Sequence, residues 1–403
     1  MSEAGREGVF VKLHRKVSLG IGAAAISLSA ALPASAQRDA EQQLPEPPAA
    51  EAAPIAMLYD MNSRQTLFSR EADRRFAPAS ITKVMTTFVA FGKMQAGELD
   101  PRTRFAVRPE TFKKWNRVGS TMFLAHDDTP TVNQLLHGIT TVSANDGSVV
   151  LAEGASGSLP QWLDDMNEAA QSIGMEDSHF GSPNGFPDEG RTFTTAHDLV
   201  TLGTRLIRDY PHHYKRYYGQ RQMRYGGITQ NNHDPITGRL FGADGIKTGF
   251  TNQAGYGFLG SAMRNGRRLV MVVAGSDRGW VRNEAARDLV EWGFTNFDVR
   301  RLFARGQTVT TIPVQNGSLR ELPLIAEDGV AVSVLKDWNA EPEMTLRFEG
   351  PAVAPIKAGE PVAELVITST GTGDARIPLV AAQDVAKANL AQRIRNGFLS
   401  WVD

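Results

Sequence analysis

The sequence reads as an α+β protein. It predicts a domain of helices on an antiparallel sheet, followed by a small all-β domain and a C-terminal amphipathic helix. Three observations carry this reading. Between residues 54 and 300 the apolar residues switch back and forth between strand-like and helix-like spacing. Asn265-Gly266 separates two long apolar runs, and Asn-Gly is the strongest short hairpin signal. From residue 301 onward, short β-branched runs alternate with Gly and Pro.

The elements follow in chain order. Residues 1–36 read as an export signal, with Lys12, Arg15 and Lys16 before an uncharged stretch from Val17 to Leu32. Ala34-Ser35-Ala36 fits a small-x-small cleavage site, leaving Gln37 first; a retained membrane anchor is the alternative. Residues 37–53 have no aromatic or β-branched side chain and read as a linker. Residues 54–75 predict a hairpin turning at Met61-Asn62-Ser63-Arg64. Ile81, Val84, Met85, Phe88 and Val89 predict a helix over 80–95. Helices are also expected over 131–153, 159–173 and 196–209. Strands follow within 239–276, then a helix near 281–296, closing a domain at 54–300. TVTTIPV, LPLIAE, VAVSVLK, MTLRFEG, PVAELVIT and RIPLV predict the β-rich domain at 301–382. In 383–403, Val385, Leu390, Ile394, Phe398, Trp401 and Val402 fall near one helical face with Lys387, Arg393 and Arg395 largely off it. Such a helix either lies on an anionic membrane surface or packs on its own domain.

Composition excludes several functions. The chain has 403 residues with 43 Lys and Arg against 44 Asp and Glu, so it lacks the basic excess that nucleic-acid binding normally needs. With no cysteine there can be no disulfide, thiolate metal site or cysteine nucleophile. The eight histidines form no ligand-spaced cluster, and neither metal nor cofactor is expected.

Three short motifs carry chemistry. Ser80-Ile81-Thr82-Lys83 places a hydroxyl and an amine three residues apart at a helix start, where they can meet. A lysine made neutral by burial or a nearby cation could deprotonate the serine. Read alone, the pair could equally be an N-cap and a surface lysine. Ser143-Ala144-Asn145 could project a hydroxyl and an amide into one cleft, or cap a helix. Lys247-Thr248-Gly249 lies in an expected strand beside Gly245, where an extended peptide could pair and its carboxylate bind. Alone, Lys247 could instead guard an edge against aggregation.

Together, in this order and at intervals of 63 and 104 residues, the motifs resemble those of the low-molecular-mass penicillin-binding proteins, the serine-type D-alanyl-D-alanine carboxypeptidases. FAPASITKVMTT, VSANDGSVVLAE, GADGIKTGFTNQAGYGFLGSA and the Arg282…Trp292-Gly293-Phe294 segment carry the resemblance over residues 54–297. It implies a penicillin-binding/β-lactamase-like domain that removes the terminal D-alanine from peptidoglycan stem peptides and is acylated by β-lactam inhibitors. By that resemblance Ser80 is the nucleophile, Lys83 the general base and Ser143 the proton relay, and Asn145 holds the lysine and the substrate amide. Lys247, Thr248 and Gly249 hold the substrate carboxylate, helped by Arg282, and the N–H groups of Ser80 and Phe250 form the oxyanion hole. The layout further implies an exported, periplasmic enzyme attached by its terminal helix to the outer face of the cytoplasmic membrane. Departures are Ala144, where the family often has Gly, Phe250, where His or Thr is common, and Ser182 within Phe180-Gly181-Ser182-Pro183-Asn184-Gly185, where Asn is usual. Two other readings stand beside this one. A β-lactamase needs a deacylating Glu, but Glu168, Glu176 and Glu189 lie outside the expected Glu-x-x-Leu-Asn pattern. A non-catalytic cell-wall scaffold would not need three intact motifs.

Overall fold

The structure is a computed structural model and describes residues 8–13, 46–47, 49, 51–336, 341–390 and 392–393. The chain divides into two compact units, one of residues 47–299 and one of residues 1–46 with 300–403.

In the 47–299 unit, strands β2 (Ile55–Asp60) and β3 (Gln65–Arg70) form the expected first hairpin; β1 (Gly8–Leu13) belongs to the other unit. A 3-10 turn (Ala79–Thr82) leads into α1 (Lys83–Gln95). Helices α2 (Pro109–Trp115), α3 (Val132–Val142), α4 (Asn145–Ser156), α5 (Leu159–Ser172), α6 (Ala196–Asp209) and α7 (Pro211–Tyr217) fill the middle. A small ribbon, β4 (Gln222–Tyr225) with β5 (Ile228–Asn231), precedes β6 (Ala243–Thr251), β7 (Gly255–Arg264), β8 (Arg267–Ser276) and α8 (Gly279–Asn296). The main sheet is antiparallel in the order β3-β2-β8-β7-β6. Asn265 and Gly266 join β7 to β8 with φ of 50° and 78°, as a two-residue turn of matching twist requires.

β8 is central, and Leu269 to Ala274 are all at most 1% exposed, because helices cover both faces. Gly203 of α6 lies against Ile246, Leu259 and Val270, while Gly293 of α8 lies against Leu58 and Leu269 on the opposite face. A Cβ on Gly293 would stand 2.5 Å from Leu58, so the missing side chain sets how closely α8 approaches. β6 is left at the sheet edge.

The other unit holds a seven-stranded sheet, in the order β1-β13-β15-β16-β11-β10-β14. Its strands are β1 (Gly8–Leu13), β10 (Thr308–Gln315), β11 (Glu321–Ile325), β13 (Glu343–Glu349), β14 (Ala352–Val353), β15 (Pro361–Thr368) and β16 (Ala375–Ala381). β9 (Phe297–Phe303) and β12 (Val330–Leu335) form a separate pair.

Two segments differ from the sequence reading. Gly8–Leu13, inside the expected export signal, is an edge strand antiparallel to β13; Val9, Phe10 and Val11 suit a strand. Residues 383–388 are extended rather than helical. Val385 bridges Ile356, Lys387 bridges Gly317, and Val385 is buried in the β-rich core. Helical geometry appears at 390 and 392–393, and the rest of the expected C-terminal helix lies outside the described residues. Among the described residues no helix is long and apolar enough to cross a membrane.

Candidate active site

Three elements meet at the first motif. Ala79 takes φ of 50°, an unusual value for a non-glycine residue, and the chain then tightens into the 3-10 turn. In a 3-10 turn residues i and i+3 eclipse, so Ser80 and Lys83 face the same way. Lys83 Nζ lies 2.7 Å from Ser80 Oγ, 2.8 Å from Asn145 Oδ1 and 2.7 Å from the Asn184 carbonyl oxygen. Lys83 is fully buried. Burial drives its pKa well below the lysine range, the Lys247 cation lowers it further, and Asp146 opposes. A neutral amine has two N–H donors and one lone pair. The two carbonyl oxygens take the donors, and the lone pair is left for the Ser80 hydroxyl.

The second motif is the break between α3 and α4. Thr131 starts α3 with a capping box, its side chain accepting from Gln134 N while Gln134 accepts from Thr131 N. The helix ends at Ser143, whose φ of 62° and ψ of 34° turn the chain sharply, and Asn145 opens α4. Asn145 Nδ2 donates to the Val118 carbonyl at 3.0 Å, so the amide oxygen must face Lys83. The adjacent Asp146 accepts from Met122 N and Leu124 N at 3.0 and 3.1 Å, pinning the segment that follows Gly119 and Ser120.

The third motif is on the free edge of β6. A Cβ on Gly249 would stand 2.4 Å from the Pro78 carbonyl oxygen, so only glycine lets β6 run against the 3-10 turn. Lys247 is 4% exposed, and its Nζ donates to the Thr248 carbonyl at 2.9 Å. Burial, then Arg282, lowers its pKa to about 7 against the pull of Asp234. Arg282 is buried at the start of α8 and donates to the Gly257 carbonyl at 2.7 Å; burial lowers its pKa to about 10. His233 is depressed by burial, Lys247 and Arg282. Three cationic or cation-capable groups therefore crowd one part of the site, where an anion is strongly favoured.

A cavity of about 560 Å³ joins these pieces. Of the residues picked from sequence, Ser80, Ser143, Asn145, Thr248, Gly249, Phe250 and Arg282 line it, while Lys83 and Lys247 lie buried beneath. Phe250 is half-exposed and stacks on Tyr256 at 4.1 Å. Sequence reasoning missed the Asn184 and Val118 carbonyl acceptors, along with His233, Tyr256 and Phe186. The Phe180–Gly185 stretch hinted at a functional loop. A backbone carbonyl leaves no signature in residue type, however, and nothing in the spacing singled out His233. Glu168, Glu176 and Glu189 are exposed, and among the described residues no Asp or Glu lines this cavity.

Comparison with known proteins follows the same division of the chain. Residues 41–278 match the model of the D-alanyl-D-alanine carboxypeptidase family, and residues 297–387 match the penicillin-binding protein 5 C-terminal domain. D-alanyl-D-alanine carboxypeptidase DacD of Salmonella typhimurium is 30% identical over 394 residues, 96% of this chain and 98% of that protein. The crystal structure of penicillin-binding protein 5 from Haemophilus influenzae superposes with a TM-score of 0.76 at 28% identity, covering 85% of this chain and 99% of that one. The ampicillin-bound structure of penicillin-binding protein D2 from Listeria monocytogenes, 26% identical, covers 62% of this chain and 100% of that one with a TM-score of 0.56. Matched nearly end to end by a curated relative, and by a family model over residues 41–278, which include Ser80 and Lys83, the chain belongs to the D-alanyl-D-alanine carboxypeptidase family.

Proposed function

We propose that the protein is a serine D-Ala-D-Ala carboxypeptidase that trims the terminal D-alanine from peptidoglycan pentapeptide stems and is acylated by penicillins. The observation that carries this reading is the buried Lys83 amine 2.7 Å from Ser80 Oγ, beside a cleft with a cationic corner. In the proposed reaction, the substrate's terminal carboxylate sits on Thr248, with Lys247 and Arg282 supplying positive potential. Lys83 takes the Ser80 proton as Oγ attacks the penultimate D-alanine carbonyl. The N–H groups of Ser80 and Phe250 receive the oxyanion. Ser143 passes the proton to the departing D-alanine nitrogen, and Asn145 holds Lys83 and the substrate amide. Water then hydrolyses the ester. Among the described residues no carboxylate side chain lines the cleft, which favours slow release of a penicilloyl adduct over β-lactamase turnover. The test is direct. Fluorescent penicillin should attach to Ser80 and not to the Ser80→Ala variant, and that variant should release no D-alanine from a pentapeptide. Wild-type release by Ser80→Ala would sink the assignment.

A pH dependence follows from the two lysines. Lys83 works neutral, so kcat/KM rises as pH climbs through its lowered pKa. Lys247 works charged, so kcat/KM falls as pH passes its pKa of about 7. The expected profile is a bell whose alkaline limb moves upward in Lys247→Arg, because an arginine stays protonated. Activity that keeps rising from about pH 7 to 9 would contradict the role of Lys247.

Export and membrane attachment belong to the same proposal. Cleavage after Ala36 would remove β1 from the edge of β13 and leave Gln37 at the N-terminus, which N-terminal sequencing of the mature protein reads directly. Val385 and Ala388 are buried, so the membrane segment starts beyond them. Deleting 394–403 should move the protein from the membrane pellet to the soluble fraction with its D-alanine release intact. Continued sedimentation with membranes would count against the anchor.

A further inference from the structure

Apart from its N–H group, Phe250 takes no part in the reaction above, yet its side chain lines the Ser80 cleft and is 47% exposed. The ring lies against that of Tyr256, with 4.1 Å between centroids and 25° between planes. The two residues stand directly opposite each other in the β6–β7 ladder, so strand register fixes the stack. Gly279, which opens α8, packs on Tyr256 as well: a Cβ there would stand 3.1 Å from the ring. Tyr256 is half-buried and also lines the cleft. A held aromatic pair with one ring open to a polar cleft is the make-up of a ligand contact.

The position of the stack indicates which part of a ligand would meet it. Thr248 and Phe250 are two residues apart on β6, so their side chains leave the same face of the strand, about 7 Å apart. Arg282 donates to the carbonyl of Gly257, the residue after Tyr256. The stack therefore flanks the corner that receives the terminal carboxylate, on the leaving side of the scissile bond. A D-alanine leaving residue offers it only a methyl group, too small to cover a ring. We infer that the Phe250–Tyr256 stack is a specificity wall for the leaving fragment and favours a planar apolar group attached beside the carboxylate. This rests on the carboxypeptidase reading above. Two kinds of ligand carry such a group. One is a peptide ending in an aromatic D-residue. The other is a cephalosporin with an aryl-vinyl group on the ring carbon next to the carboxylate-bearing one. In both, holding the carboxylate at Thr248 and Arg282 sets the planar group against the open Phe250 ring, where aromatic contact adds attraction. If the pair only braced an edge strand, its loss would lower the melting temperature and leave every ligand preference unchanged.

The test reads each preference as a ratio, in two arms. The first compares two cephalosporins that share one acyl chain and carry either an aryl-vinyl group or a methyl beside the carboxylate, by the second-order rate constant for acylation of Ser80. The second compares Nα,Nε-diacetyl-Lys-D-Ala-D-Phe with Nα,Nε-diacetyl-Lys-D-Ala-D-Ala, by kcat/KM. Dividing the wild-type ratio by the Phe250→Leu ratio removes the intrinsic difference in reactivity between the two ligands. The quotient should be about fivefold in favour of the planar group. Tyr256→Phe keeps the stack and should keep the wild-type ratio, whereas Tyr256→Leu should lose it; the latter carries the comparison if Phe250→Leu fails to fold. A quotient of this size in both arms supports a wall for any leaving fragment, and in one arm alone supports a wall for that kind of ligand. A quotient near one in both arms, or a ratio lost in Tyr256→Phe, overturns the wall. Wild-type protein that is acylated by neither cephalosporin and cleaves neither peptide overturns the carboxypeptidase reading itself, and the wall with it.

Discussion

Lys83→Ala should lower the acylation of Ser80 by about 10³-fold, within the 10²–10⁴ range expected for a positioned general base. Two losses combine. The hydroxyl at 2.7 Å loses the lone pair that would receive its proton, and the Asn145 and Asn184 oxygens lose their buried donor. The second-order rate constant for fluorescent-penicillin labelling measures the fall. Lys83→Arg separates the base from the charge. A guanidinium keeps donors and brings a fixed positive charge, and because it stays protonated it cannot accept the proton. If Lys83 serves as a base, Lys83→Arg should be nearly as slow as Lys83→Ala. If it serves only as a fixed cation, Lys83→Arg should label within about tenfold of wild type, and the proposed mechanism would fail.

The second large effect concerns a glycine. Gly185 has φ of 72°, and a Cβ there would stand 1.8 Å from the Ala79 carbonyl oxygen and 2.7 Å from Thr82 Oγ1. The carbonyl belongs to the residue before Ser80, so the clash falls on the 3-10 turn itself and cannot be relieved by a rotamer change. Gly185→Ala should displace either the turn or the loop carrying Asn184, and so break the Lys83 geometry. Labelling should fall by at least about 10²-fold, the lower end of what a positioned base supplies. Left-handed strain alone costs about 1–3 kcal/mol, or roughly 2–4 °C of Tm per kcal/mol for a unit of this size. Gly157, at the end of α4, isolates that contribution: its φ is 76°, but nothing lies within 4 Å of a new Cβ. Gly157→Ala should cost about 1 kcal/mol by thermal melting and leave labelling unchanged. Equal effects of the two substitutions on labelling would show that Gly185 matters only for its backbone angle.

How local a feature is decides whether the sequence shows it. The α+β class was legible because long periodic runs and an Asn-Gly turn are local signals. The β8 run is apolar without alternation, as a strand covered on both faces must be. Short polar elements escaped: α2, with two lysines before Trp115, and the β4–β5 ribbon have too few buried positions to make a pattern. Residues 383–388 were misread because Val385 fits helical spacing equally well. Bridges to Ile356 and Gly317 hold that stretch extended, and those partners are distant in sequence.

By itself, the sequence placed Ser80 and Lys83 three residues apart at a helix start, a spacing that lets a hydroxyl and an amine reach the same side. It also supplied the other candidate side chains, as residue types in order. Only the tertiary structure decided that Lys83 is dry, that Lys247 lies close enough to lower its pKa, and that its remaining hydrogens go to Asn145 and to a main-chain oxygen at position 184. Desolvation and charge coupling depend on separations through space between segments 62 to 164 residues apart along the chain, and a carbonyl acceptor is common to every residue. The packing of the α3–α4 break, the 181–187 loop and the edge of β6 against a single turn therefore decides the chemistry available to Ser80.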